Sequence, residues 1–338
     1  MQVAPDIKAE EIKIAVREAY GIQAKTLSFL ALGADLNTAV FRMVSDDQSR
    51  FFLKLRKNDF RSESVEIPAI LSKRGMKQVI PVISTRSGKL WVDLSPYVMI
   101  LYPFIEGKNG FETNMTEKQW VEFGSVLKRF HCSKFSQKSI KNIQHEDYSP
   151  RWRDSVLSFL TRFSDETFHD PIANETSEYL KNKYNEIREL VIKTESYAQK
   201  LLKNQPETIL CHGDIHGWNL LIPNESSLFI VDWDTLVFAP KERDLMFIGC
   251  GLGGRSLSPI QEEVFFYEGY GQAFINPVAM AYYRYERVIE DFAVCCEHIF
   301  STENDNEDRQ LSMRIIKSYF LPNSPLDYAH QYVTKFLK

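Results

Sequence analysis

Cysteine is scarce in this 338-residue chain, and its five copies (Cys132, Cys211, Cys250, Cys295, Cys296) form no Cys-x-x-Cys pair. Scattered through apolar context, they read as reduced core thiols, and no disulfide framework is expected. Long basic runs are also missing and the formal net charge is −4, so the electrostatic footprint of a nucleic-acid binder is excluded. No stretch approaches the ~20 apolar residues of a membrane span. The opening segment MQVAPDIKAEEIKIAVREAYGI alternates charged and apolar residues at helical spacing, unlike the apolar core of a signal peptide. A cytoplasmic protein without a membrane or nucleic-acid partner is expected. Apolar residues make up 44% and charged residues 25%, a globular balance able to bury one or two cores, and two lobes are expected.

Residues 26–56 read as three short strands, TLSFLAL, AVFRMV and RFFLKLR, forming an antiparallel meander with polar turns such as Ser45-Asp46-Asp47-Gln48. A helix near 61–74 ends at Gly75, a C-cap glycine; QVIPVIST and the run Leu90 to Phe104 read as two further strands. The predicted architecture is α+β, a small antiparallel sheet lobe over 1–103, a Pro/Gly-broken hinge over 104–110, and a mostly helical lobe over 111–338. Thr116 with Gln119 has the form of a capping box, and Trp120, Phe123, Leu127 and Phe130 then mark an amphipathic helix. Further helices are expected at about 150–166, 174–203, 259–273 and 277–300, interrupted over 208–232 by the short β-type pieces TILCH, NLLI and SLFIVDWD.

The chemistry concentrates in one loop. Residues 210–219 read Leu-Cys-His-Gly-Asp-Ile-His-Gly-Trp-Asn, and thirteen residues after Asn219 the strand Leu228–Val231 delivers Asp232. His-x-Asp-x-x-x-x-Asn followed by a strand-end Asp is the spacing of a kinase catalytic loop and its metal aspartate. Phosphoryl transfer needs a carboxylate to take a hydroxyl proton and separate oxygen ligands for the metal ions on the phosphates. Asp214 is therefore expected to be the base, His212 a brace for the loop, and Asn219 and Asp232 Mg²⁺ ligands. The bland alternative is that these are turn residues. A catalytic thiol at Cys211 and a metal site at His212 and His216 are the weaker assignments for this loop.

Such a loop calls for a nucleotide on the upstream lobe. Phe51-Phe52-Leu53-Lys54-Leu55-Arg56 sets Lys54 in an apolar strand, where an unpaired ammonium is costly, so Lys54 needs an anion: the ATP phosphates, with Glu63 or Glu66 from the next helix as partner and Glu63 favoured. The alternative is an edge-strand lysine facing solvent. The first turn, Leu32-Gly33-Ala34-Asp35-Leu36-Asn37-Thr38, lacks Gly-x-Gly-x-x-Gly, which rules against an ordinary protein kinase; Gly33, Asn37 and Thr38 remain candidates to cover the phosphates, against a plain hairpin turn. Adenine is expected at Pro103, Phe104 and Ile105, with Met99 or Ile100 in its apolar wall.

His212-Gly213-Asp214-Ile215-His216-Gly217-Trp218-Asn219, followed by Val231-Asp232-Trp233-Asp234, resembles the signature of the aminoglycoside phosphotransferase family. Tyr148-Ser149-Pro150-Arg151-Trp152-Arg153, Ala239 through Gly249, and Phe266-Tyr267-Glu268-Gly269-Tyr270-Gly271 resemble its spectinomycin 9-phosphotransferase branch, and the likeness runs from about residue 10 to residue 320. The resemblance implies a two-lobed protein-kinase-like fold, ATP with Mg²⁺, and γ-phosphate transfer to a hydroxyl of an aminocyclitol antibiotic. One departure is Gly217-Trp218, where Pro-Gly often follows the signature histidine; the bulk of Trp218 bears on the acceptor rim. A cationic acceptor is held by carboxylates and aromatic faces, which makes Asp234, Glu268, Tyr270, Glu286 and Trp218 the candidate acceptor contacts beside Asp214. The helix charges Glu286, Arg287, Glu290 and Asp291 also read as ordinary salt-bridged positions, and Arg243-Asp244 as a bracing pair. A kinase of choline, homoserine or a sugar is the alternative function, and a catalytically dead binding protein the remote one.

Overall fold

The computed structural model describes residues 5–31, 37–57, 60–250, 257–301 and 306–337. In chain order the first elements are α1 (Ala9–Tyr20), β1 (Ala24–Leu30), β2 (Thr38–Ser45), β3 (Arg50–Lys57), α2 (Glu63–Lys73), β4 (Val92–Leu94), β5 (Tyr97–Pro103), β6 (Lys108–Asn109), α3 (Glu117–His131) and α4 (Gln137–Ile140). Next come β7 (Gln144–His145), α5 (Arg151–Asp165), α6 (Pro171–Asn182), α7 (Tyr184–Lys203), β8 (Ile209–Cys211), β9 (Leu220–Asn224), β10 (Ser227–Ile230) and β11 (Val237–Ala239). The chain closes with α8 (Glu242–Leu245), α9 (Pro259–Tyr270), α10 (Pro277–Ser301), α11 (Asn306–Ser318) and α12 (Pro325–Phe336). Two compact units result, Met1–Ile143 with Ile215–Leu236, and Gln144–Asp214 with Val237–Lys338.

The first unit is built on an antiparallel five-stranded sheet of order β1-β2-β3-β5-β4. Alternation along β3 drives Leu53 and Leu55 into the core, where they meet Met43, Met99 and Leu101 and the Ile12–Val16 face of α1. Lys54 and Arg56 consequently share the opposite face. The predicted strand QVIPVIST does not form. Pro81 interrupts it, and among the described residues the segment makes one isolated bridge, Val79 to Ile230. The fifth strand arises instead because Leu90–Phe104 folds back on itself, β4 pairing with β5 from Val92↔Met99 to Leu94↔Tyr97.

A second sheet, β10-β9-β6, belongs to the same unit and draws Lys108–Asn109 out of the expected hinge into an edge strand. Helix α3 docks here. Thr116 and Gln119 form the capping box, and Gln119 Nε2 also donates to the carbonyls of Asn224 (2.8 Å) and Ser227 (2.9 Å), tying the helix start to the β9–β10 turn. Residues 111–143 and 215–236 pack with the first sheet's unit.

The second unit is helical around α10, whose buried residues surround it on nearly every side, as for a helix at the centre of a domain. Helices α5, α7, α11 and α12 pack on it. The helix expected over 174–203 is two, broken at Lys183, which caps α6 and opens α7. The short sheet β7-β11-β8 sets the strand that leads into the His212 loop. Among the described residues no helix is long and apolar enough to cross a membrane.

Candidate active site

In the first unit Lys54 and Arg56 project from β3 toward two aspartates delivered by the end of β10. Lys54 Nζ lies 2.6 Å from Asp234 Oδ2 and 3.1 Å from Asp232 Oδ1, and Arg56 Nη1 lies 3.0 Å from Asp234 Oδ2. Burial alone would lower the Lys54 pKa, but the carboxylates of Asp232 and Asp234 outweigh it and raise it, so the ammonium stays charged. Burial likewise works against the Asp234 carboxylate, and Lys54 and Arg56 hold its pKa below the usual value. Asp232 takes a left-handed backbone, φ 60° and ψ 67°, a conformation that costs about 1–2 kcal/mol and that Asp tolerates better than most residues. Its turn is fixed by Trp233, packed edge-on against Phe130 of α3 at 5.1 Å. Asp232 has a side chain 51% exposed, whereas Asp234 is 19% exposed and engaged by two cations.

This corrects two expectations. Among the described residues the ion pairs of Lys54 go to Asp232 and Asp234, while the buried Glu63 accepts instead from Asn142 Nδ2 at 2.8 Å. Asp234, expected to face an acceptor, has its carboxylate spent on Lys54 and Arg56. Thr38 Oγ1 accepts from Arg56 Nη1 at 2.8 Å, and Asn37 is exposed beside it. Gly33 lies outside the described residues. Met99 is fully buried in β5; Pro103, Phe104 and Ile105 are half-buried, and the Phe104 amide donates to the Arg50 carbonyl at 3.1 Å.

Asn219, 7% exposed, closes the 3₁₀ turn Gly217–Asn219, and its carbonyl accepts from the Val231 amide at 3.0 Å, which pins this turn beside the residue preceding Asp232. Gly110 N donates to Gly217 O at 2.7 Å, and a Cβ at Gly110 would sit 3.1 Å from that backbone, a close approach that favours glycine. Trp218 is exposed, its ring 5.7 Å from that of Phe111.

The second unit holds the rest of the signature. His212 is fully buried, its Nδ1 accepting from the Asp214 amide at 3.4 Å. The Asp244 carboxylate, also fully buried, accepts from the amides of His212 and Gly213, both at 2.8 Å, so Asp244 braces the loop itself. Gly213, at φ 88°, gives the turn that presents Asp214. Arg287 Nη1 meets Asp214 Oδ1 at 2.7 Å, a contact that reading Arg287 as an ordinary helix charge missed.

Three acceptor candidates also fall in this unit. Glu268 is exposed on α9. Tyr270 is buried, stacked on Phe266 at 5.4 Å, and Glu286 is buried against Arg153 Nη1 at 2.5 Å; both are core residues, contrary to expectation. Cys211 is fully buried and its thiol is pushed well up by burial and then Asp244, which removes it as a nucleophile.

Residues 28–288 match the model of the phosphotransferase enzyme family. Curated protein sequences gave no significant match. Among solved structures the chain is similar to spectinomycin phosphotransferase APH(9)-Ia in complex with ADP and spectinomycin, with 34% identity, a TM-score of 0.89, and 97% of this chain and 99% of that chain covered. The AMP-bound complex of the same enzyme gives 33%, 0.83, 96% and 98%. An amicoumacin kinase bound to AMP-PNP and Ca²⁺, at 14% identity, TM-score 0.61 and coverage of 96% and 97%, shares the fold. The antiparallel sheet, the helical unit and the His212–Asn219 signature thus belong to a kinase-like fold, and the chain is a member of the phosphotransferase enzyme family, an enzyme acting on a small-molecule acceptor.

Proposed function

We propose that this chain transfers the γ-phosphate of ATP to a hydroxyl of an aminocyclitol antibiotic, with spectinomycin the favoured acceptor. The observation that carries the chemistry is the Lys54–Asp232–Asp234 cluster, a mostly covered ammonium poised beside a half-exposed strand-end carboxylate. The choice of acceptor rests on the likeness to a spectinomycin phosphotransferase along 97% of the chain. In this reading the first unit holds the nucleotide: Lys54 takes the phosphates, Thr38 and Asn37 cover them, and the Ile105 amide reads the adenine edge beside Ile100. Ile100 pairs with Lys54 across β3 and β5, whereas Met99 faces the core on the other side of the sheet and is not part of the wall. Asp214 accepts the proton of the acceptor hydroxyl as its oxygen bonds to the γ-phosphorus, the bond to the β,γ-bridging oxygen breaks, and ADP leaves. His212 and Asp244 keep the loop in place. Trp218 and Glu268 contact the acceptor.

The Asp232 carboxylate and Asn219 amide oxygen are hard donors of the kind Mg²⁺ prefers, and the left-handed Asp232 is the sort of strained residue found at functional sites. When bound, Mg²⁺ offsets charge on the β- and γ-phosphates. Lys54 now occupies the Asp232 carboxylate as a cation, so the residues present fit a divalent ion. ATP at a hundredfold excess over its Kd is expected to stabilise the protein by about 2.7 kcal/mol with Mg²⁺. Asp232→Ala should lose most of that gain in a thermal-shift titration. Stabilisation that is independent of Mg²⁺ in the parent protein would overturn the metal assignment. Trp218→Ala is expected to raise the acceptor KM and leave the ATP KM unchanged in steady-state assays; a change in ATP KM alone would remove Trp218 from the acceptor site.

A further inference from the structure

We infer that Arg287 is a positioning residue for Asp214, held in place by Asp291 and Tyr319; the inference rests on Asp214 being the base. Arg287 stands on α10 with its guanidinium shared between two carboxylates. Nη1 meets Asp214 Oδ1 at 2.7 Å, and Nε meets Asp291 Oδ1 at 3.1 Å. Asp291 Oδ2 in turn accepts from the Tyr319 hydroxyl, just beyond α11. Phe247 lies under the guanidinium, 5.6 Å from Cζ to ring centroid. The Arg287–Asp291 pair is extended at both ends, and the Arg287, Asp291 and Asp214 side chains are only 26%, 23% and 25% exposed.

The backbone of the loop is fixed from one side by Asp244, which takes the His212 and Gly213 amides. Those bonds engage the backbone and not the Asp214 carboxylate. Arg287 bears on the carboxylate directly, by holding Oδ1. A planar fork does this better than a single ammonium, because two of its edges engage two carboxylates at fixed angles. Phosphoryl transfer through a loose transition state asks its base chiefly to orient the attacking hydroxyl, so a residue that fixes the carboxylate's direction acts on turnover rather than on binding.

The test is steady-state kinetics with ATP and spectinomycin for Arg287→Met, Arg287→Lys, Tyr319→Phe and the Arg287→Met/Tyr319→Phe double variant, with Asp214→Asn in parallel. Arg287→Met should lower kcat roughly 10²-fold with the ATP KM unchanged, and Arg287→Lys should recover part of the loss. Tyr319→Phe should lower kcat about 2- to 10-fold alone and add nothing in the Arg287→Met background, because it acts through Arg287. Additive losses, or a wild-type kcat in Arg287→Met while Asp214→Asn is inactive, would overturn the inference and leave the base assignment standing. A fully active Asp214→Asn would overturn both. Should Arg287→Met fail to fold, Tyr319→Phe and Arg287→Lys still decide: unchanged kcat in both sinks the proposal.

Discussion

Asp214→Asn is expected to cut turnover by about 10²- to 10⁴-fold while leaving the Mg²⁺-dependent thermal shift by ATP intact. Asparagine keeps the shape of the side chain and an oxygen for Arg287, and it leaves the Asp244 braces of the loop untouched. What it removes is the ability to accept a proton. The loss should therefore appear in kcat and equally in kcat/KM for the acceptor, the signature of an interaction made in the transition state. A near-normal kcat, measured where single-turnover data show chemistry to be limiting, contradicts the assignment.

Arg153→Met is expected to destabilise the protein by about 3–5 kcal/mol, because it strips the cation from a buried carboxylate. Arg153 is 2% exposed, and it bonds Glu286 at 2.5 Å, Glu195 at 2.9 Å and the Tyr148 carbonyl at 2.8 Å. Burial pushes the Glu286 carboxyl up from 4.5 to about 7 even against the pull of Arg153. Removing the arginine raises it further. A group whose folded pKa lies above its unfolded value holds its proton more tightly when folded, so its contribution to stability falls as pH rises from about 4.5 through about 7. The Tm deficit of Arg153→Met should thus be greater at pH 8 than at pH 5, and Arg153→Met/Glu286→Leu should recover much of it. A deficit that does not vary with pH would contradict this account of the pair.

The candidate loop His212–Asn219 was legible because its information is local. Histidine, aspartate and asparagine sit at fixed short spacing, and a strand of four apolar residues announces Asp232. The need of Lys54 for an anion was also legible from its place in an apolar strand. The identity of that anion was not: Asp232 and Asp234 lie 178 and 180 residues away, and tertiary packing, including Trp233 on Phe130 and the Val79–Ile230 bridge, brings them under β3. Glu63 occupied the right place for a helix partner, yet Asn142 claims it. Charges on α10 repeat at helical spacing whether they face solvent or core, so nothing local separated the buried Glu286 from the functional Arg287. The strand expected over 78–85 carried its own warning in Pro81, and the hairpin of β4 and β5 carried one in Ser95-Pro96. The break between α6 and α7 at Lys183 has neither glycine nor proline to mark it.

The most direct test is ATP consumption by the purified protein with Mg²⁺ against spectinomycin, kanamycin, hygromycin, choline and homoserine, each with Asp214→Asn as control. Turnover with spectinomycin that disappears in Asp214→Asn is the expected result. Turnover with choline or homoserine and none with spectinomycin would contradict it.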